Sequence, residues 1–177
     1  VLFFSLAYVA AFALGEVLTP LWEVVPDRVS LVFLPAFIRV VAVLVAGLAG
    51  ALGVALGSFI VCIAYLGDSP IVALGNAIAS AAGIMLAYVL VLAMGRWRDL
   101  SFELPVLAKV ILIYSVLNAM LHAVFWNAMG AGYSINLIEL GLMVFGDLAG
   151  VVFLFYVSRL LLRTQRIKSL LARSNML

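Results

Sequence analysis

Tyr114, Asn118, His122 and Trp126 follow one another at strict four-residue spacing. On a helix that spacing places them on one face, as a polar and aromatic stripe. These are the residue types of a small-ligand pocket, aromatic walls with a few convergent hydrogen-bonding groups. The same groups can instead satisfy one another between packed helices, with Tyr114 and Trp126 as interfacial anchors. An unperturbed histidine titrates near neutral pH, so His122 suits a sensor, and a lone satisfied histidine is the plainer reading.

Arg39 is the other residue that demands chemistry, because it sits inside SLVFLPAFIRVVAVLVAG, an otherwise apolar run with a proline at Pro35. An arginine at the bilayer centre costs ~3 kcal/mol on insertion scales, so it requires a partner. Counted along a helix from Ser30, Arg39 lies roughly 13 Å deep. Glu139 and Asp147 occur on one later apolar segment, with Asn136, Met143, Gly146 and Gly150 on roughly the same face. Counted from Asn136, Asp147 lies ~16 Å deep, a depth comparable to that of Arg39. An Arg39–Asp147 ion pair is therefore expected. The competing arrangement has Arg39 snorkelling, or bonding carbonyls freed near Pro35, with Asp147 protonated. Glu139 beside the stripe would complete a polar core of Arg39, Asn118, His122, Trp126, Glu139 and Asp147. Glu16 either joins that core or sits among the headgroups.

Other chemistries fare worse. One cysteine, Cys62, and one histidine exclude an intrachain disulfide, a cysteine cluster and a multi-histidine metal or haem site. No nucleophile motif frames the serines, and Cys62 has no adjacent base, so no catalytic residues are assigned and the chain does not read as an enzyme. The glycines belong to apolar segments rather than to a phosphate loop, so no cofactor is implied. Nothing points to nucleic acid.

The elements that must position the polar core are membrane helices. The 177 residues are 68% hydrophobic and 10% charged, against about 25% charged in a soluble domain. Mean hydropathy is +1.33. Apolar runs predict six spans of roughly 17–25 residues, an all-α polytopic bundle. They cover 1–22, 30–47, 51–66, 71–94, 105–126 and 135–161, with Pro20, Trp22 and Pro26 closing the first. That first run is read as a retained helix rather than a signal peptide. Gly47-Leu48-Ala49-Gly50 is a tight turn between the second and third. Residues 1–162 form the transmembrane domain and 163–177 a basic tail helix.

Six spans put eight of the ten Lys and Arg on the side of both termini, leaving Arg28 outside and Arg39 in the bilayer. The positive-inside rule makes that side cytoplasmic. Arg159, Arg163, Arg166, Lys168 and Arg173 stand in or next to the tail, where each is worth ~1 kcal/mol at an anionic leaflet. Small residues at helix-packing spacing, Gly53/Gly57, Gly75/Ala79/Gly83 and Gly146/Gly150, let helices approach closely.

Two stretches carry a resemblance, VFLPAFIRVVAVLVAGLAGALGVALGSFIV and LGLMVFGDLAGVVFLFYVSRLLLR. The first is similar to an aromatic-proline start, apolar helix, tight turn and Gly-rich helix. The second is similar to a closing helix with Gly-Asp, a small residue and Gly. Together they resemble the membrane-associated sensor domains at the N-terminus of bacterial histidine kinases and cyclic-di-nucleotide enzymes. Pro35, Arg39, Gly146, Asp147 and Gly150 are the family-like positions. The resemblance implies a multi-pass sensory domain of the bacterial inner membrane. It would detect a small ligand or membrane signal and relay it through the last helix to a cytoplasmic output or partner, in a homo-oligomer or with another protein. Two alternatives stand beside it. One is a substrate-binding subunit of an energy-coupling-factor vitamin transporter, with Ala7/Ala11 as its coupling surface. The other is a non-catalytic accessory subunit of a larger membrane complex.

Overall fold

The fold, a computed structural model, describes residues 1–18, 23–25, 29–94, 104–130 and 135–174. Pro20, Trp22, Pro26, Arg28, Arg96, Arg98 and the tail side chains beyond Thr164 lie outside the described residues. The described residues are helical apart from a short ribbon and the segments that join the elements. Its order is α1 (Leu2–Leu18), β1 (Glu23–Val25), β2 (Val29–Ser30), α2 (Pro35–Ala64), α3 (Pro70–Met94), α4 (Leu104–Met129) and α5 (Leu137–Ser174). The two strands pair antiparallel. Four of the helices are long and apolar enough to cross a membrane, and α1 is a shorter apolar helix. The molecule is a helical membrane bundle, its outward surface lined with exposed Leu, Val, Ile and Phe.

Helix α2 is not one rod. Gly47 has φ 53° and ψ −127°, a conformation that only glycine adopts without strain. The chain reverses there so tightly that a Cβ on Gly50 would fall on the carbonyl oxygen of Ala42. The turn expected at 47–50 is therefore present. Residues 35–46 form a helix of only about 18 Å, and residues 48–64 return beside it.

The second apolar run departs from expectation at its start. A helix was expected over 30–47, and it begins only at Pro35, which occupies its first turn and cannot donate a backbone hydrogen bond. Residues 31–34 are non-helical, and they lie against α5 well away from its ends. The Phe33 N–H donates to the Gly146 carbonyl at 2.9 Å. Non-helical backbone at membrane depth is tolerated only where protein covers it, and α5 does so here.

The contacts also give the helices their directions. Gly53 packs on Phe4 and Gly57 on Tyr8, so α1 and the returning half of α2 run parallel. Gly75 meets Phe125 and Gly83 meets Asn118, so α3 and α4 run antiparallel. Phe33 lies at Gly150 and Phe37 stacks edge-on with Phe155, so residues 33–46 run parallel to α5. Gly53 and Gly57 thus serve helix packing as expected. Gly146 and Gly150 do not. Their missing side chains admit the carbonyls of Ser30 and Phe33, an extended backbone rather than a helix.

Candidate functional site

Side chains on a helix lean toward its N-terminus. Arg39, four residues inside α2, accordingly reaches back until its guanidinium carbon lies 4.9 Å from the Phe33 ring centre and 5.5 Å from that of Tyr8. Both distances suit cation–π attraction. The residue is 3% exposed.

Every described helix contributes a group to it. Nη2 donates to the Tyr8 hydroxyl of α1 at 2.8 Å and to Ser80 Oγ of α3 at 2.9 Å. Nη1 donates to the Tyr114 hydroxyl of α4 at 3.0 Å. Ser58, on the returning half of α2, shares a hydrogen bond with Ser80 at 3.2 Å. Asp147 of α5 stands 3.8 Å from Nη1. The expected Arg39–Asp147 pair is therefore present, but its separation exceeds a hydrogen bond. Tyr114 accepts from Arg39 Nη1, the same nitrogen that Asp147 faces.

The stripe on α4 faces inward as its spacing predicts. Tyr114, Asn118 and His122 are buried and Trp126 is half-buried. Asn118 Nδ2 donates to Asp147 Oδ2 at 2.7 Å. His122 Nδ1 donates to its own helix, at the Asn118 carbonyl 2.9 Å away, and its ring meets Trp126 edge-on with centres 5.4 Å apart. Trp126 Nε1 donates to Asn76 Oδ1 of α3 at 2.7 Å. The Asn76 amide then donates to Asp68 at 3.4 Å and lies 3.6 Å from the Cys62 sulfur. A chain of contacts, polar except where the His122 and Trp126 rings meet edge-on, thus links the α2–α3 loop, at Asp68, to Arg39.

Glu139 is not part of this core. Its carboxylate accepts from the Asn136 N–H at 3.1 Å, while Asn136 Oδ1 accepts from the N–H groups of Ile138 and Glu139, both at 2.9 Å. That is a capping box at the start of α5. The sequence Asn-Leu-Ile-Glu before an apolar run carries the local signal for it. Glu16 is exposed, away from the cluster.

Tyr8, Ser58, Asn76 and Ser80 are the members that sequence reasoning missed. A single hydroxyl in an apolar helix carries little signal, because it can return its bond to its own backbone. Ser115 does so, donating to the Ile111 carbonyl at 2.9 Å. The four-residue step from Asn76 to Ser80 was the one available clue.

Chemically the cluster binds and orients. It holds one cation against one carboxylate, three hydroxyls and two aromatic faces. Among the described residues, no group of three or more His, Cys, Asp and Glu side chains comes together as a metal site. No known protein family, curated protein or solved structure matches the chain, so its role is read from this cluster.

Proposed function

We propose that the protein is a sensory domain of the bacterial cytoplasmic membrane that relays a signal through α5 to a cytoplasmic output or partner. One observation carries the reading. Asp147 is the carboxylate facing Arg39, and its helix continues unbroken from Leu137 to Ser174. Whatever shifts the balance at Arg39 moves one end of a rigid rod whose other end leaves the apolar span, which ends at Thr164. A signal is transmitted only if the ligand prefers one of two arrangements of that rod. The resemblance to membrane-associated sensor domains rests on the same residues, Pro35, Arg39, Gly146, Asp147 and Gly150.

In this reading the chain crosses the bilayer six times, α2 supplying two crossings through its reversal at Gly47. The alternating directions of α1, the two halves of α2, α3, α4 and α5 support that count. Both termini are then cytoplasmic by the distribution of Lys and Arg. Of the coupling surface proposed for the transporter alternative, Ala11 is buried and Ala7 half-buried. The accessory-subunit reading draws support from the polar stripe, whose groups are largely satisfied within the chain.

The test places spin labels at Lys109 and Arg163 of a Cys62→Ala background in nanodiscs and compares wild type with Asp147→Asn. A relay predicts a changed distance between the α4 and α5 ends. An unchanged distance distribution moves the assignment to a structural subunit.

A further inference from the structure

The hydrogen-bond inventory around Arg39 has more donors than acceptors. Arg39 carries five N–H groups and no acceptor. Its Nη groups serve Tyr8, Ser80 and Tyr114 and face Asp147, while Nε is buried without a partner. The Tyr8 oxygen accepts from Arg39, so its own proton needs a second acceptor, and among the described residues none takes it. The Ser58–Ser80 bond uses only one of the two serine protons. Arg39 Nε–H and the Tyr8 O–H are therefore among the donors left over, and the Tyr8 oxygen lies 2.8 Å from Nη2 of the same guanidinium. Among the described residues the one buried side-chain acceptor without a partner, Asn118 Oδ1, belongs to the amide bound to the other carboxylate oxygen, Oδ2.

Charge points the same way. The guanidinium lies over Phe33, two residues before Pro35, and so stands at the N-terminal end of the short helix 35–46. The first N–H groups of that helix are engaged, Ala36 with Phe33 and Phe37 with Leu34, so the helix contributes its dipole rather than its donors. That dipole is worth about half a positive charge. With Arg39 positive and Asp147 negative, the cluster is positive by about half a charge in a medium where charge is costly.

We propose that this cluster binds a small monovalent anion, a halide or a short carboxylate, accepting from Arg39 Nε–H and Tyr8 O–H at the N-terminal end of the short helix. The proposal gives the sensory reading its ligand class, and it rests on that reading only for the consequence of binding. Small monovalent anions fit better than phosphate, because the site already holds one carboxylate, which would repel a multiply charged ion more strongly.

The test uses full-length protein in nanodiscs, with sodium bromide replacing sodium gluconate at constant ionic strength. Wild type should show a saturable rise in melting temperature. Tyr8→Phe should raise the bromide midpoint at least tenfold, and Arg39→Gln should abolish the response. Tyr8→Phe removes a single oxygen, so it keeps the proposal testable should Arg39→Gln fail to fold. Crystals grown in bromide should show anomalous density beside Arg39 and Tyr8. A response that Tyr8→Phe leaves unaltered, or no saturable response, overturns the anion site. Bromide binding with a motionless α5 would overturn the relay and leave the site standing. A moving α5 without bromide binding would do the reverse.

Discussion

Phe33 hands its backbone N–H to the carbonyl of Gly146, tying a non-helical segment to α5. A Cβ on Gly146 would fall on the Ser30 carbonyl oxygen, whereas one on Gly141, a turn away, would meet nothing. Gly146→Ala should therefore destabilise the bundle by about 1–3 kcal/mol through overpacking. Gly141→Ala should be neutral or slightly stabilising, by up to ~1 kcal/mol of helix propensity. Detergent-denaturation curves of both variants check the contrast, and equal losses would mean that the close approach is absent.

Removing either partner of a buried ion pair strands the other. Arg39→Met and Asp147→Leu should each cost about 3–5 kcal/mol. The double variant should cost less than their sum by at least ~1 kcal/mol, since no charge is then left unpaired. Exchanging the charges should not rescue, because an arginine on α5 loses the Tyr8 and Ser80 acceptors that position 39 reaches. A double-mutant cycle measured by unfolding in SDS decides the matter, and strict additivity would refute the coupling.

Trp126→Phe keeps an aromatic ring edge-on to His122 and deletes the N–H that Asn76 accepts. The orphaned Asn76 oxygen should cost about 1–3 kcal/mol. Trp126→Tyr should cost no less, because its hydroxyl lies elsewhere on the ring. Chemical denaturation of the pair provides the check.

The capping box at α5 predicts a local effect. Asn136→Ala should cost about 1 kcal/mol and Glu139→Gln much less, since glutamine still accepts from the Asn136 N–H. Hydrogen exchange should accelerate in the first turn of α5 alone. Acceleration that reached Asp147 would show that the cap also governs the core.

Cys62 is the chain's one cysteine and is 4% exposed. Maleimide labelling of the folded protein should be at least tenfold slower than labelling in denaturant. Asn76→Ala, which opens one side of the thiol, should narrow that gap.

Much of this arrangement was legible in the sequence. Four-residue spacing turned Tyr114, Asn118, His122 and Trp126 to one side, and Asp147 was rightly matched to Arg39. The depth count behind that match assumed a helix from Ser30, whereas Ser30 lies beside Gly146 and Arg39 meets Asp147 by reaching back along its helix. Other parts were hidden for physical reasons. Hydropathy runs smoothly through Ser30–Leu34, because apolar side chains suit extended and helical backbone alike. Only the backbone bonds to α5 distinguish the two. Arg39 was expected to rely on a carboxylate, yet its hydrogen bonds go to Tyr8, Ser80 and Tyr114, residues that look ordinary in an apolar helix. Glu139 was grouped with the core by helix face, although its Asn-x-x-Glu context marks a cap.

The convergence of all five helices on Arg39 has a consequence for synthesis. The chain emerges N-terminus first, so Tyr8 is in place before Arg39 appears, Ser80 and Tyr114 follow, and Asp147 arrives last. Until then the arginine is held by hydroxyl oxygens alone. A nascent chain stalled before α5 therefore carries, inside its apolar bundle, a cation whose carboxylate has not yet arrived.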